Sequence, residues 1–228
     1  MITMMNCDCM DYMAGLPDKA FELAIVDPPY GIGAGAESFK NGTSKTEKPY
    51  YRKNDWDNIA PDKNYFAEVK RVSKNQIVWG GNYFPCLWVN GCRGFIFWDK
   101  TIHGNSYADG EMAWTSFDTV ARYYRENIAQ TNSEGRIHPT QKSIELYKWI
   151  LSKYAKPGDR ILDTHGGSGS ICIACHDLGF DLTWMELDAD YYKAACERYQ
   201  RHASQADLFE PKEIFKPAQS RSLFEADE

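Results

Sequence analysis

The chain has no apolar run long enough to span a bilayer, and Met1 to Asp11 carries neither a basic segment nor the apolar stretch of a secretion signal. Those absences exclude hydrophobic spanning helices and predict a cytoplasmic protein with no membrane partner. A disulfide framework is missing too. Seven cysteines, an odd number, fall at positions 7, 9, 86, 92, 172, 175 and 196 without regular spacing, which suits reduced thiols. Cys172 and Cys175 are spaced like half of a metal or redox site, but no second pair stands at ligand spacing. Small apolar packing on a helix is the expectation, and no metal. Net positive charge is also lacking: the formal charge of -6 excludes nucleic-acid binding through bulk charge alone. Its distribution is uneven. Phe39 to Asn54 holds Lys40, Lys45, Lys48, Arg52 and Lys53 against one acid, Glu47, while the residues after Ala203 are acid-rich. Internal repeats and low-complexity segments are absent.

What is present is a 228-residue chain with 14% aromatics, enough for one α/β domain with insertions and short of two. Phe21 to Val26 reads as a buried strand closed by Asp27-Pro28-Pro29-Tyr30, because proline cannot continue a central ladder. Residues 31–57, rich in Gly, Lys, Ser and Asn, predict a long mobile loop. A helix is expected over Pro61 to Val72, strands over Gln76 to Trp79 and Gly94 to Trp98, and one or two more strands between Ala113 and Tyr124 as an antiparallel hairpin at the sheet edge. Gln141 to Tyr154 carries the apolar stripe Ile144, Tyr147, Ile150, Leu151 of an amphipathic helix. A strand Arg160 to Leu162, a helix to Leu178, a strand Leu182 to Met185 and a helix Ala189 to His202 then form βαβ units. The expected fold is a doubly wound, mostly parallel sheet over residues 1–202 with an acidic polar tail at 203–228.

Two constellations carry chemistry. The Gly-rich turn Gly166 to Gly169 follows a strand and opens a helix, a context in which backbone N–H groups and close chain approach favour a nucleotide-like ligand. Glu186, at the end of the next strand, is placed to accept hydrogen bonds from ribose hydroxyls. The glycines at 166, 167 and 169 do not reproduce Gly-x-Gly-x-x-Gly, so a dinucleotide pyrophosphate is poorly provided for. In the second, Asp27 and the Pro28 carbonyl at a strand's carboxyl end can accept both hydrogens of an amino group and favour its pyramidal, attacking form. Tyr30 offers a flat face to an extruded base, with stacking worth about 1–3 kcal/mol. An Asp-Pro-Pro sequence also serves as a plain strand terminus.

Four stretches in order, Asp27 to Tyr30, Ile77 to Phe84 (IVWGGNYF), His138 to Lys142 (HPTQK) and Asp163 to Gly169 (DTHGGSG), resemble the N6-adenine/N4-cytosine DNA methyltransferases in the permuted arrangement, with the catalytic motif before the cofactor motif. The resemblance implies a Rossmann-like methyltransferase that uses S-adenosylmethionine. In it Asp27 holds the target amino group, Pro28 lends its carbonyl beside Pro29, and Tyr30 stacks on the flipped base. Asp163, His165, Gly166, Gly167, Ser168 and Gly169 surround the methionine part of the cofactor. Glu186 meets its ribose, Asp8 lies near its adenine, and Thr140 with His138 and Lys142 lines the carboxylate site. The chain departs from the family in having His165 for a usual Phe, Ser143 for a common Pro and Cys7 for a common Gly. Asp at position 27 rather than Ser favours adenine over cytosine within the family.

The implied reaction is direct methyl transfer from the sulfonium to adenine N6 in DNA without a covalent enzyme intermediate; N4 of cytosine is the alternative. A NAD-binding oxidoreductase accounts for the glycines and Glu186 but leaves Asp27 to Tyr30 idle, and a non-catalytic DNA-binding module is the third reading. Lys40, Lys48, Arg52 and Lys53, interleaved with aromatics, suit phosphates and unstacked bases. Residues 100–136, with Arg122 and Arg125, occupy the family's recognition region. Gln205-Ala-Asp-Leu-Phe209 resembles the pentapeptide that docks bacterial proteins on the sliding clamp.

Overall fold

A computed structural model describes residues 1–33, 57–101, 108–127 and 136–209, with side chains of 206–209 excluded. Lys40, Lys48, Arg52 and Lys53 therefore lie outside the described residues, as does nearly all of the expected DNA-contacting loop.

Eight strands form one sheet: β1 (Ile2–Asn6), β2 (Phe21–Val26), β3 (Ser73–Trp79), β4 (Phe95–Asp99), β5 (Gly110–Thr115), β6 (Arg122–Arg125), β7 (Arg160–Asp163) and β8 (Asp181–Glu186), in the order β1-β8-β7-β2-β3-β5-β4-β6. Among the described residues five α-helices cover it: α1 (Cys9–Ala14), α2 (Lys63–Val72), α3 (Ile144–Tyr154), α4 (Ser170–Leu178) and α5 (Ala189–Phe209). Strands β1, β8, β7, β2 and β3 are parallel neighbours, with Leu23 opposite Ile161 at the β2–β7 join. Connections leave that join in opposite directions, toward β3 from β2 and toward β8 from β7. Ligands of doubly wound sheets bind at the carboxyl ends of such a switch point.

The buried strands are apolar on both faces because both are covered. Leu23, Ile25, Ile77 and Ile161 pack with α3 and α4 through Leu146, Ile150, Ile171 and Cys172. Ala24, Val26, Val78 and Leu162 pack on the opposite side against Met13 of α1 and Tyr65, Phe66, Val69 and Val72 of α2. Cys172 and Cys175 are fully buried free thiols in the first of these cores.

Three expectations need correction. The antiparallel hairpin joins β4 to β5, with Ile96 opposite Ala113, whereas the edge strand β6 runs parallel to β4. β5 ends beside the start of β4, and the chain crosses that end of β4 to begin β6 on its far side, a placement that local alternation does not encode. The helix expected to stop at His202 continues to Phe209, so the proposed tail boundary at 203 falls inside α5. The N-terminal residues, for which no strand or helix was expected, form β1 and α1, with β1 held by parallel pairing from Ile2–Leu182 to Asn6–Glu186. Among the described residues no helix is long and apolar enough to cross a membrane.

Candidate active site

Asp27 to Tyr30 leaves the carboxyl end of β2, and Thr164 to Gly169 leaves that of its neighbour β7. The first turn is fastened by Asp57, a buried carboxylate whose Oδ1 accepts the backbone N–H of Tyr30 at 2.6 Å and of Gly31 at 3.1 Å. Tyr30 then lies along β3's exit. Its ring stacks on Tyr83 at 5.0 Å, and a Cβ on Gly80 would stand 2.2 Å from it, so only glycine permits this approach. The Tyr30 hydroxyl donates to Asp27 Oδ1 at 2.6 Å.

The glycine turn is equally constrained. A Cβ on Gly166 would fall 1.8 Å from the Trp184 indole, while Gly167, at φ 53°, donates its N–H to Glu186 Oε2 at 2.8 Å. Glu186 Oε1 accepts the Asp188 N–H at 2.8 Å, and burial raises the carboxyl above its ordinary range. Gly169, also left-handed, begins α4 against Ala195.

A single cavity of about 780 Å³ joins the two turns. Of the expected residues, Asp8, Asp27, Pro29, His138, Thr140, Lys142, His165, Gly166, Gly167, Ser168 and Glu186 line it. Pro28, Tyr30, Asp163 and Gly169 are not among the lining residues, but each adjoins one that is. Asp8 caps α1, accepting the Met10 N–H at 2.7 Å. Asp163 is buried behind the turn, its Oδ1 accepting the His165 N–H at 3.1 Å, and burial pushes its carboxyl up to about 8.

Both cavity histidines are neutral. Burial, aided by Lys142 and Arg136, pushes His138 down to about 3; its Nδ1 accepts the Thr140 N–H, and its ring meets Tyr191 at 4.5 Å. Burial brings His165 to about 4. Its Nδ1 sits 2.9 Å from Thr164 Oγ1 and 3.3 Å from Tyr65 OH, and those two hydroxyls lie 2.6 Å apart. Tyr65 and Thr164 were missed by the motif reading. Tyr65 falls within the helix expected over Pro61 to Val72, and a tyrosine hydroxyl on the buried face of such a helix is a usable signal.

Lys142 does not lie alone at the carboxylate site assigned to it. Its ammonium contacts Asp27 Oδ2 at 2.6 Å and Glu111 Oε2 at 3.0 Å and sits 4.9 Å over the Trp79 ring; Glu111 also pairs with Lys100. Neither Glu111 nor Lys100 was singled out, since neither stands in a motif.

The expected recognition arginines part company. Arg125 donates to Asp99 Oδ2 at 3.0 Å and lies over the Tyr123 ring, whereas Arg122, an odd number of residues away on β6, projects from the other face of the sheet. Gln205 is exposed in the last turns of α5.

A doubly wound sheet with an acidic Asp-Pro-Pro-Tyr tip beside a glycine cradle defines a nucleoside-binding transferase class rather than a dinucleotide enzyme. Residues 43–197 match the N6_N4_Mtase family model, described as DNA methylase, and the chain belongs to that family of DNA methyltransferases. The match begins beyond Asp27 to Tyr30. The Type II methyltransferase M2.DpnII of Streptococcus pneumoniae is 23% identical over 242 residues, covering 86% of this chain and 89% of that one. The fold is shared with the M1.HpyAVI–SAM complex, at TM-score 0.55 and 21% identity over 87% of this chain and all of the other (100%). It is shared equally with PvuII DNA methyltransferase, titled cytosine-N4-specific, at TM-score 0.58 and 12% identity over 90% and 91% of the two chains.

Proposed function

We propose that this DNA methyltransferase acts on the N6 amino group of adenine in an extruded base and draws the methyl group from S-adenosylmethionine. The observation that supports methyl transfer to an amino group is the cavity lined by both Asp27 and the Gly166–Ser168 turn, and Asp rather than Ser at position 27 is what favours adenine over cytosine.

The residues present fit the cofactor. Gly166 has no room for a side chain, the turn exposes backbone to the cavity, and at about 780 Å³ the space is of the size that holds a nucleoside-bearing ligand. Glu186, Gly167 and Ser168 would hold it, with Asp8 on the α1 side and Thr140 and His138 opposite. When bound, it supplies a methyl group activated by a sulfonium. The neutral state of His138 and His165 keeps two further positive charges away from a cationic ligand.

On the other side, Asp27 accepts hydrogen bonds from the target amino group. Each of its oxygens already takes one strong donor, Tyr30 or Lys142, and each retains a second lone pair. Pro28 offers its carbonyl beside it, and Tyr30, braced by Tyr83, offers the aromatic surface. The test is incubation with tritiated S-adenosylmethionine and mixed-sequence DNA, followed by mass spectrometry of the nucleosides, for the native protein and Asp27→Ala. N6-methyladenine formed by the first and not the second is the expected outcome; label on N4 of cytosine, on RNA or on protein overturns the substrate assignment. Docking on a sliding clamp through Gln205–Phe209 is a separate proposal, checked by binding of the clamp to the native chain and to a Gln205→Ala, Phe209→Ala double variant.

A further inference from the structure

Lys142 and Glu111 bury opposite charges directly behind Asp27, and the cluster can be traced through four side chains. Asp27 on the β2 exit meets Lys142 from the segment before α3; Lys142 meets Glu111 on β5; Glu111 meets Lys100 after β4. The Lys142 side chain is 1% exposed and that of Glu111 19%, and with Asp27 and Lys100 the four ionised groups sum to zero charge. The contacts are unequal: Lys142 hydrogen-bonds Asp27 Oδ2 at 2.6 Å and stands 3.0 Å from Glu111 Oε2. Lys142 thus lies closer to Asp27 and is balanced in charge by Glu111.

We propose that Lys142 is a positioning residue for the methyl-transfer step, which holds Asp27 ionised and aimed into the cavity, and that Glu111 with Lys100 sets how strongly it does so. The proposal rests on the reading of Asp27 as the acceptor for the target amino group, and gives Lys142 a role distinct from holding a cofactor carboxylate.

Protonation would turn one Asp27 oxygen into a hydroxyl donor and remove the charge that strengthens the hydrogen bonds it accepts, so the acid form would be a weaker acceptor for an amino hydrogen and the Tyr30 hydroxyl together. Burial raises the Asp27 carboxyl above its ordinary range and Glu111 adds to the rise, while Lys142 is the group that holds the rise in check. The ammonium itself stays charged because Asp27 and Glu111 outweigh its own burial. The other titratable groups facing Asp27 are Tyr30 on its own turn, Asp163 of β7, Tyr147 of α3 and Tyr65 of α2. All four carry negative or no charge, so Lys142 is the cation among the described groups that meets Asp27. Removing it leaves Asp27 beside Glu111, and removing Glu111 leaves Lys142 entirely to Asp27. The two deletions should move Asp27 in opposite directions.

The experiment is a 13C NMR titration of aspartate side-chain carboxyls in the full chain, with the Asp27 signal assigned by its loss in Asp27→Asn. Against the native protein, Lys142→Met should raise the Asp27 midpoint by at least about one pH unit and Glu111→Gln should lower it. Should Lys142→Met fold poorly, the Lys142→Met, Glu111→Gln double variant keeps Asp27 and Lys100 as a neutral pair and should still show a midpoint above that of Glu111→Gln alone. Calorimetric affinity for S-adenosylmethionine should stay within about threefold in Lys142→Met, a change of about 0.65 kcal/mol, and the acid limb of turnover should move with the NMR midpoint. An Asp27 midpoint that moves the same way in both single variants, or not at all, overturns the proposal, as does a tenfold or greater loss of cofactor affinity in Lys142→Met. The NMR readout needs no turnover. A native protein that methylates nothing while the midpoints shift as described would therefore count against the substrate assignment and not against the charge relation.

Discussion

Asp163 shows how burial can dominate the state of a side chain. Its carboxyl is held at about 8 against an ordinary 3.8, chiefly by desolvation, with Asp27 and Glu186 adding to the rise. Between those values the folded protein keeps a proton that the unfolded chain has released, so this residue makes stability fall as pH rises from about 4 to about 8 and contributes no slope above. Asp163→Asn keeps the shape and the acceptor for the His165 N–H but removes the proton exchange. Urea midpoints measured across that range should decline less with pH in the variant than in the native protein, and parallel curves would refute the assignment. Gly166 makes a steric case. A Cβ 1.8 Å from Trp184 has no outlet, because the indole is itself fully buried, so Gly166→Ala should cost about 1–3 kcal/mol in denaturant unfolding and abolish thermal stabilisation by S-adenosylmethionine. Gly166 could be read from sequence because a glycine after a strand has few explanations. Glu111 could not: a single glutamate in an alternating strand looks like a solvent-facing residue until the fold brings it to Lys142, 31 residues along the chain.

Helix α3 depends on how it starts. Ser143 caps it, its Oγ accepting the Leu146 N–H at 3.0 Å while donating to the largely buried Glu126. The position that is commonly proline in the family is therefore a hydrogen-bonding cap here, one residue after Lys142. Ser143→Ala removes the cap and a partner of a buried carboxyl together, so a loss of about 1–2 kcal/mol in unfolding free energy is expected. A value near zero would show that Glu126 and water replace the hydroxyl. The stripe of α3 and the strands flanking the glycine turn were legible because their apolar periods are long and their stops are Gly and Pro. β1 was not, and for β6 neither the bounds nor the partner was. Each is an edge strand of five or four residues with little full burial, and what makes them strands is a partner distant in sequence, Asp181–Glu186 for β1 and Phe95–Asp99 for β6. Short edges, and in β6 the charges of Arg122 and Arg125, avoid stray pairing, and the same properties weaken the sequence signal.

Across the whole molecule, the sheet order separates the two chemical ends of the cavity. Glu186 ends β8 and Asp27 follows β2, with β7 between them, so their strands stand about 10 Å apart at the usual strand spacing. Sequence could name both residues but not that separation, because neither the β2–β7 neighbour relation nor its parallel sense is written in any local pattern. The separation has a thermodynamic consequence. If Glu186 serves the cofactor and Asp27 the base, the two substitutions should part in binding and agree in turnover. Native protein at a cofactor concentration of 100 times Kd gains about 2.7 kcal/mol of apparent stability. Asp27→Asn should retain most of that gain while losing methylation, and Glu186→Gln should lose most of it, because the ribose would face an amide whose nitrogen cannot accept. Both are measured as the shift in urea midpoint on adding S-adenosylmethionine, with NAD as the control ligand that should shift neither. Equal loss of stabilisation in the two variants would mean that Asp27 lies within the cofactor's own contacts. The strand between them would then not divide the cavity, and methyl donor and acceptor would have to be sought on one side of β7.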